Sequence, residues 1–247
     1  MHKHELYHFG VLGMKWGIRK KKDQINSRDR YIKKGTVIQN ISSREFDKNH
    51  QRANRLFAAY TKYDKDQYVD MMGNFMYNMR GYKNEFLVKK DIKVPSDKEL
   101  VKTFIEVAKK NPKQFASDMA KAYNETHLIM SKIPKVYEKK ISELSDPGSK
   151  KANKLAKEFV EDIVSSKTKV SSNIFFDNLI KKGFDAISDV NDRDQFFGTQ
   201  DPLIIINMDS IKHEKTVKLT KKDLDYYSQY TSSKQHKANH KDFSDIK

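Results

Sequence analysis

The chain contains no cysteine, which excludes disulfides, thiolate metal sites and a cysteine nucleophile together. It has no hydrophobic run approaching the roughly 20 residues that span a bilayer. Its first residues, Met1 to Lys22, lack the continuous apolar centre of a secretory signal. A soluble protein made in the cytoplasm, with no membrane partner, is the expectation. Also missing are Gly-x-Gly-x-x-Gly, a phosphate loop ending in Gly-Lys-Ser/Thr, Gly-x-Ser-x-Gly and His-Glu-x-x-His. With them go the sequence marks of common dinucleotide, phosphate, serine-hydrolase and zinc-protease chemistry. Glycine and tryptophan are scarce, at nine and one in 247 residues.

What is present is polar, basic and moderately aromatic. Charged residues make up 33% of the chain and hydrophobic ones 37%, yet 11% are aromatic. That balance fits a thin-cored folded body with disordered ends rather than a wholly disordered chain. The net charge of +16 is unevenly spread: Met1 to Lys34 carries +7, leaving +9 on the other 213 residues. A basic arm of this kind favours polyanions through counterion release, so DNA, RNA or an acidic protein surface are all suitable partners.

Three of the nine glycines and the single tryptophan fall in one stretch, Tyr7 to Arg19. Gly10, Gly13 and Gly17 oppose a regular helix or strand, because glycine loses the most backbone entropy on ordering. Phe9, Leu12, Met14 and Trp16 supply apolar area between them. The segment therefore reads as a docking peptide built from His8, Phe9, Gly10, Gly13, Met14, Lys15, Trp16, Gly17 and Arg19, extended by the basic run Lys20, Lys21 and Lys22. It closely resembles the His-x-Gly-Val-x-Gly-Met-Lys-Trp-Gly segment near the N-terminus of many proteins encoded by phages and prophages of Gram-positive bacteria. The resemblance implies a phage head or other virion protein as the docking partner, with packaged nucleic acid as a further one. It also implies residence in the host cytoplasm during assembly and then in the virion.

Behind the arm, local signals alternate in type. Gly35 to Ser42 and Arg55 to Thr61 read as strands. Asp64 with Gln67 opens a helix whose Tyr68, Met71, Met72, Phe75, Met76 and Met79 form one apolar stripe, a core-packing pattern. Glu85 to Val94 returns as a strand. Ser96 with Glu99 is a capping box ahead of Leu100, Phe104, Ile105 and Ala108. Asn111-Pro112 opens a helix through about Met130, and a short helical or loop element follows Pro134. Asp146-Pro147 starts a helix through about Ser165 that uses Leu155, Ala156, Phe159, Val160 and Ile163, and Ser172 to Lys182 forms one closed by Gly183. Phe184 to Val190 and Leu203 to Asn207 are strands, the latter apolar enough to be central in its sheet. Thr216 to Leu219 is expected at an edge, and fraying from Ser232 onward.

Strands, then helices, then strands imply an α+β fold with a mostly antiparallel sheet built from both ends of the body and a helical middle. Three regions result: a flexible basic docking arm (1–34), the α+β body (35–220) and a polar C-terminal tail (221–247). The segments GTVIQNIS and AAYT, with the closing GFDAISDVNDRDQFFGTQDPLIIIN, resemble the framework of ADP-ribosyltransferase-like domains carried by phage and mobile-element proteins. That resemblance implies NAD as the cofactor of an active member. It also implies an Arg or His on the first strand, a Ser, Thr or Tyr on the second and a Glu near the late strands. Here the first strand offers Gln39 and Asn40, the second Tyr60 and Thr61, and the late turn Gln200-Asp201. Tyr60, Thr61 and Asp201 are thus the catalytic candidates. Two of three positions depart from the pattern, and a glutamine cannot supply the negative charge that stabilises an oxocarbenium ion. A non-catalytic, cofactor-free virion-associated body is the favoured reading, and an NAD-using effector that modifies a host target the alternative.

Metal binding is not expected. The cluster Asp185, Asp189, Asn191, Asp192 and Asp194 fails the calcium-loop pattern, since Arg193 and Asp194 occupy the fifth and sixth positions from Asp189. Asp and Asn also favour turns for local reasons. His2, His4 and His8 form no pre-organised ligand set, and His50, His127 and His213 have no ligand spacing.

Overall fold

The computed structural model describes residues 30–42, 45–47, 55–75, 81–118, 139–145, 150–165, 169–189 and 199–231. They form an α+β protein of two compact units, a helical one from Pro95 to Gly183 and a sheet-rich one from Tyr31 to Val94 and Phe184 onward. The arm residues His8 to Lys22 lie outside the described residues, as do Asn191, Asp192, Asp194, His50 and His127.

In the sheet-rich unit the strands are β1 (Arg30–Ile32), β2 (Val37–Ser42), β3 (Leu56–Ala58), β4 (Tyr82–Val88), β5 (Ile92–Val94), β6 (Ala186–Ser188), β7 (Leu203–Ile205) and β8 (Ile211–Lys218). Two helices accompany them, α1 (Lys62–Phe75) and α5 (Lys221–Thr231). Instead of one sheet there are two three-stranded sheets, in the orders β2-β4-β8 and β3-β7-β6, and a β1-β5 pair. Every pairing in the two sheets is antiparallel. They are linked where Gln39 and Ala59 exchange two backbone hydrogen bonds of 2.8 Å. Strands from early and late sequence do meet, and β7 is central, with Ile204 and Ile205 fully buried. The shared core includes Ile38, Phe86, Val88, Ile92, Val94 and Ile205.

Several elements differ from the sequence expectation for identifiable reasons. The arm ends before Lys34: Arg30–Ile32 pairs as β1 because Ile32 buries its side chain in the core. Glu85 to Val94 is two strands, broken by a turn in which Asp91 accepts the Lys34 backbone N–H and the Lys33 ammonium, each at 2.9 Å. The late edge strand runs over all of β8. Helix α1 starts at Lys62, and its cap is Thr61, whose Oγ1 accepts the Asp64 N–H at 3.0 Å. Of the expected stripe on α1, Tyr68 is buried beside Val69 and Met71 is half-buried, while Met76 and Met79 lie outside the described residues. The polar tail begins with α5, set by a reciprocal cap in which Thr220 Oγ1 accepts the Asp223 N–H and Asp223 Oδ2 accepts the Thr220 N–H.

The helical unit contains α2 (Asp97–Lys110), α3 (Lys150–Ser165) and α4 (Lys169–Lys181), with a helical stretch at 112–118. Ser96 caps α2 as expected, accepting the Glu99 N–H. Asn111 closes that helix, its Nδ2 donating to the Val107 carbonyl at 3.1 Å, and also opens the stretch 112–118 as expected, its carbonyl accepting the Phe115 N–H at 3.1 Å. Phe104 is fully buried at the centre, with the rings of Phe115, Phe159 and Phe175 at 5.6, 5.7 and 6.0 Å. Aromatic contacts at such spacings add to burial. At one edge the Lys182 ammonium reaches Glu99 and Glu106 at 3.0 and 2.8 Å and the Thr103 hydroxyl at 2.8 Å. Gly183 takes φ +85°, the left-handed conformation that ends α4, and donates its N–H to the Ile180 carbonyl.

Phe104→Ala is expected to cost the helical unit ~3–5 kcal/mol, the usual range for emptying a buried phenylalanine site. Gly183→Ala, where added methyl volume meets nothing within 4 Å, should cost only the left-handed backbone penalty of about 1 kcal/mol. Urea unfolding followed by circular dichroism distinguishes the two, and equal losses would contradict this assignment of the core.

Candidate functional site

The three catalytic candidates converge because of strand register. In the β3–β7 pair, Leu56 stands opposite Ile205, Phe57 opposite Ile204 and Ala58 opposite Leu203. Carrying that register two residues further brings Tyr60 opposite Asp201. The Tyr60 hydroxyl donates to Asp201 Oδ2. Thr61 follows at once and spends its hydroxyl oxygen on the cap of α1.

The centre of the arrangement is a residue that the sequence marked only as a helix start. Asp64 is fully buried, and no cation pairs with it in the hydrogen bonds of the site. Its Oδ1 accepts the Gln200 N–H at 2.7 Å and its Oδ2 the Asp201 N–H at 2.9 Å. A carboxylate that receives two aligned backbone donors fixes both the helix start and the approach to β7. Burial pushes the Asp64 carboxyl up to about 6, a rise that the nearby Asp201 supports and the N–H donors of Gln200 and Asp201 oppose. Gln200 is buried as well, and among the described residues neither polar atom of its side chain has a hydrogen-bond partner.

The first-strand positions serve the fold. Gln39 Nε2 donates to the Lys65 carbonyl at 3.1 Å, and Asn40 Nδ2 donates to the Phe57 carbonyl at 2.8 Å. Lys65 turns its ammonium to the Val37 carbonyl at 2.6 Å, and burial lowers its pKa from the ordinary lysine value. For transferase chemistry a late-strand carboxylate must face the sugar whose charge it stabilises. Asp201 is 1% exposed and Thr61 8%, and Asp201 already serves as acceptor to Tyr60. The cluster is arranged to pin the β3–α1 corner to the start of β7.

The other sequence candidates separate. Asp185 is buried, paired with Lys90 at 2.8 Å and receiving the Asn207 side-chain amide at 2.7 Å. The Asp189 N–H donates to the Pro202 carbonyl at 2.8 Å. His213 stacks on Phe46 at 4.6 Å and touches Thr216 Oγ1 through Nε2 at 3.0 Å. Among the described residues no group of three His, Asp or Glu is positioned to hold a metal ion.

The buried Asp64 carboxyl generates a pH signature. An unfolded aspartate titrates near 3.9, so the native chain holds this proton more tightly than the unfolded one. The resulting stabilisation is complete below about pH 4 and is lost as the pH rises through about 6. Asp64→Asn abolishes the titration and turns an amide N–H against a backbone N–H, at an expected cost of ~1–3 kcal/mol at neutral pH. The margin of the native protein over this variant should widen between pH 7 and 4 in denaturant melts, and a constant margin would remove Asp64 as the titrating group.

Comparison with known proteins finds no matching family model, no matching curated protein and no matching solved structure.

Proposed function

We propose that this chain is a phage- or prophage-encoded, virion-associated protein that docks through its N-terminal arm and carries a non-catalytic α+β body. The docking half of the reading rests on the glycine-hinged aromatic segment with Trp16 at its centre and on the basic run behind it. A head component is its partner, with packaged nucleic acid as a second. Assembly in the host cytoplasm would be followed by residence in the virion.

The observation that carries the non-catalytic half is the burial of Asp201. The candidate carboxylate for oxocarbenium stabilisation, Asp201, is 1% exposed, accepts the Tyr60 hydroxyl and has its backbone N–H held by Asp64. Gln39 and Asn40 likewise spend their side chains on backbone carbonyls of the fold. The alternative, an effector that uses NAD to modify a host target, draws on the convergence of Tyr60, Thr61 and Asp201 at one point of the sheet-rich unit.

Incubation of purified protein with NAD is expected to give no hydrolysis above background, with Asp201→Ala indistinguishable from the parent. Turnover that disappears in Asp201→Ala would restore the transferase reading. Deleting Met1 to Lys22 is expected to abolish co-purification with particles while leaving thermal unfolding of the body unchanged. Trp16→Ala should have much of the same effect if shape recognition dominates, because buried aromatic anchors carry a large share of interface energy. Binding by charge alone would instead respond to salt and to neutralising Lys20, Lys21 and Lys22.

A further inference from the structure

Helix α5 contributes no buried residue, yet it carries three tyrosines. Tyr226 is 60% exposed. Its ring lies nearly parallel to that of Tyr230, with 8° between planes and 5.9 Å between centroids, and the Tyr227 ring meets it edge-on at 5.4 Å. The Lys62 ammonium sits 5.0 Å from the Tyr230 centroid. Lys62 is itself tied to Asp66 at 3.0 Å, so the cation of α1 that neighbours Tyr230 is an ion-paired one. Lys62, Tyr230 and Tyr226 are thus linked neighbour to neighbour, and the last of them is the exposed ring.

The helix repeat puts a charge on the same strip. Lys222, Tyr226 and Tyr230 are spaced i, i+4 and i+8, so their side chains follow one another along one side of α5. Lys222 is exposed, and so are Lys218 and Lys221 just before it. Of the five lysines from Lys212 to Lys222, Lys212 and Lys215 pair with Glu214 and Glu85, and Lys218, Lys221 and Lys222 supply the positive charge next to the ring. An open ring with cations along its flank is the pairing by which proteins hold single-stranded nucleic acid. Bases stack on the ring and phosphates follow the positive track.

We infer that α5 is a binding surface for single-stranded nucleic acid, with a base stacked on the outer face of Tyr226 and the adjoining phosphates on Lys222 and its neighbours. This surface is independent of the arm and of the proposed virion role. An acidic peptide would use the lysines and leave the aligned rings without purpose. A duplex hides its base faces and would gain nothing from Tyr226. Tyr226 is already stacked on Tyr230, so little ordering of the ring is needed on binding.

The test is fluorescence anisotropy of the full-length chain with a labelled twelve-residue oligothymidylate, with an abasic strand of equal length and with a duplex. Tyr226→Ala is expected to weaken oligothymidylate binding roughly tenfold while leaving abasic-strand binding unchanged. Tyr226→Phe should retain full affinity, and Lys222→Gln should weaken both single strands and flatten the salt dependence. Because Tyr226 is exposed, circular dichroism of the alanine variant should match the parent. Equal affinity of the parent and Tyr226→Ala for oligothymidylate would overturn the inference. So would an equal loss on the abasic strand, which would mark general polyanion binding, or a preference for duplex.

Discussion

One buried carboxylate holds the sheet-rich unit together. Asp64 stands at the start of α1 and takes hydrogen bonds from the backbone of Gln200 and Asp201, residues 136 and 137 positions further along the chain. A single side chain thereby joins the first helix to the segment that feeds the central strand β7. Burial raises its proton affinity, and the oriented N–H groups of Gln200 and Asp201 oppose that rise, which is why the donors must be so well aligned. The Tyr60–Asp201 hydrogen bond and the Thr61 cap follow from the same corner. If Asp64 moved, β3 would keep its ladder to β7 but lose the brace that fixes how the chain turns from strand into helix.

The first sheet is pinned differently, by polar groups in its interior. Asn84 on the central strand β4 is fully buried. Its Nδ2 donates to Asn40 Oδ1 at 3.2 Å and Ser42 Oγ at 2.9 Å, and its Oδ1 accepts the Thr216 hydroxyl at 2.7 Å. Asn40 and Thr216 are its register partners on the two flanking strands. Slipping either strand by one residue would bury unsatisfied amides, so the network specifies register at a point where apolar packing alone would tolerate alternatives. The helical unit relies more on apolar packing, with rings clustered on Phe104 and the Lys182 ammonium shared by Glu99, Glu106 and Thr103 at one edge.

How much of this was legible in the sequence depended on the range of the interaction involved. Ser96 with Glu99, the left-handed Gly183 and the apolar run Leu203 to Ile206 were readable because their causes lie within a few residues. The α+β class followed from the order of such segments. Thr220-x-x-Asp223 and the Lys222, Tyr226, Tyr230 spacing were equally local and equally readable, but the polar composition around them hid the helix. Asp64 was mistaken for a cap because an aspartate in a first turn usually is one, and its true partners are more than a hundred residues away. The convergence of Tyr60 with Asp201 was expected from a family resemblance, whereas their engagement with each other and their burial depend on a strand register that no local pattern encodes. The split into two sheets had the same origin, since the Gln39–Ala59 bridge is a tertiary event.

The route of the chain through its two units has a consequence for biosynthesis. The sheet-rich unit is interrupted after Val94 and resumes at Phe184, and at the junction the Asp185 N–H donates to the Lys93 carbonyl at 3.0 Å. On a ribosome the helical residues emerge as one continuous block with local contacts and can condense early. Strands β2, β3 and β4, already translated, must wait for β6, β7 and β8 before their sheets are complete. During that interval the edges of β3 and β4 that later pair with β7 and β8 stand open, and open strand edges invite aggregation. Asn84 on β4, whose side chain later accepts the Thr216 hydroxyl of β8, would keep that waiting edge wettable until its late partner arrives.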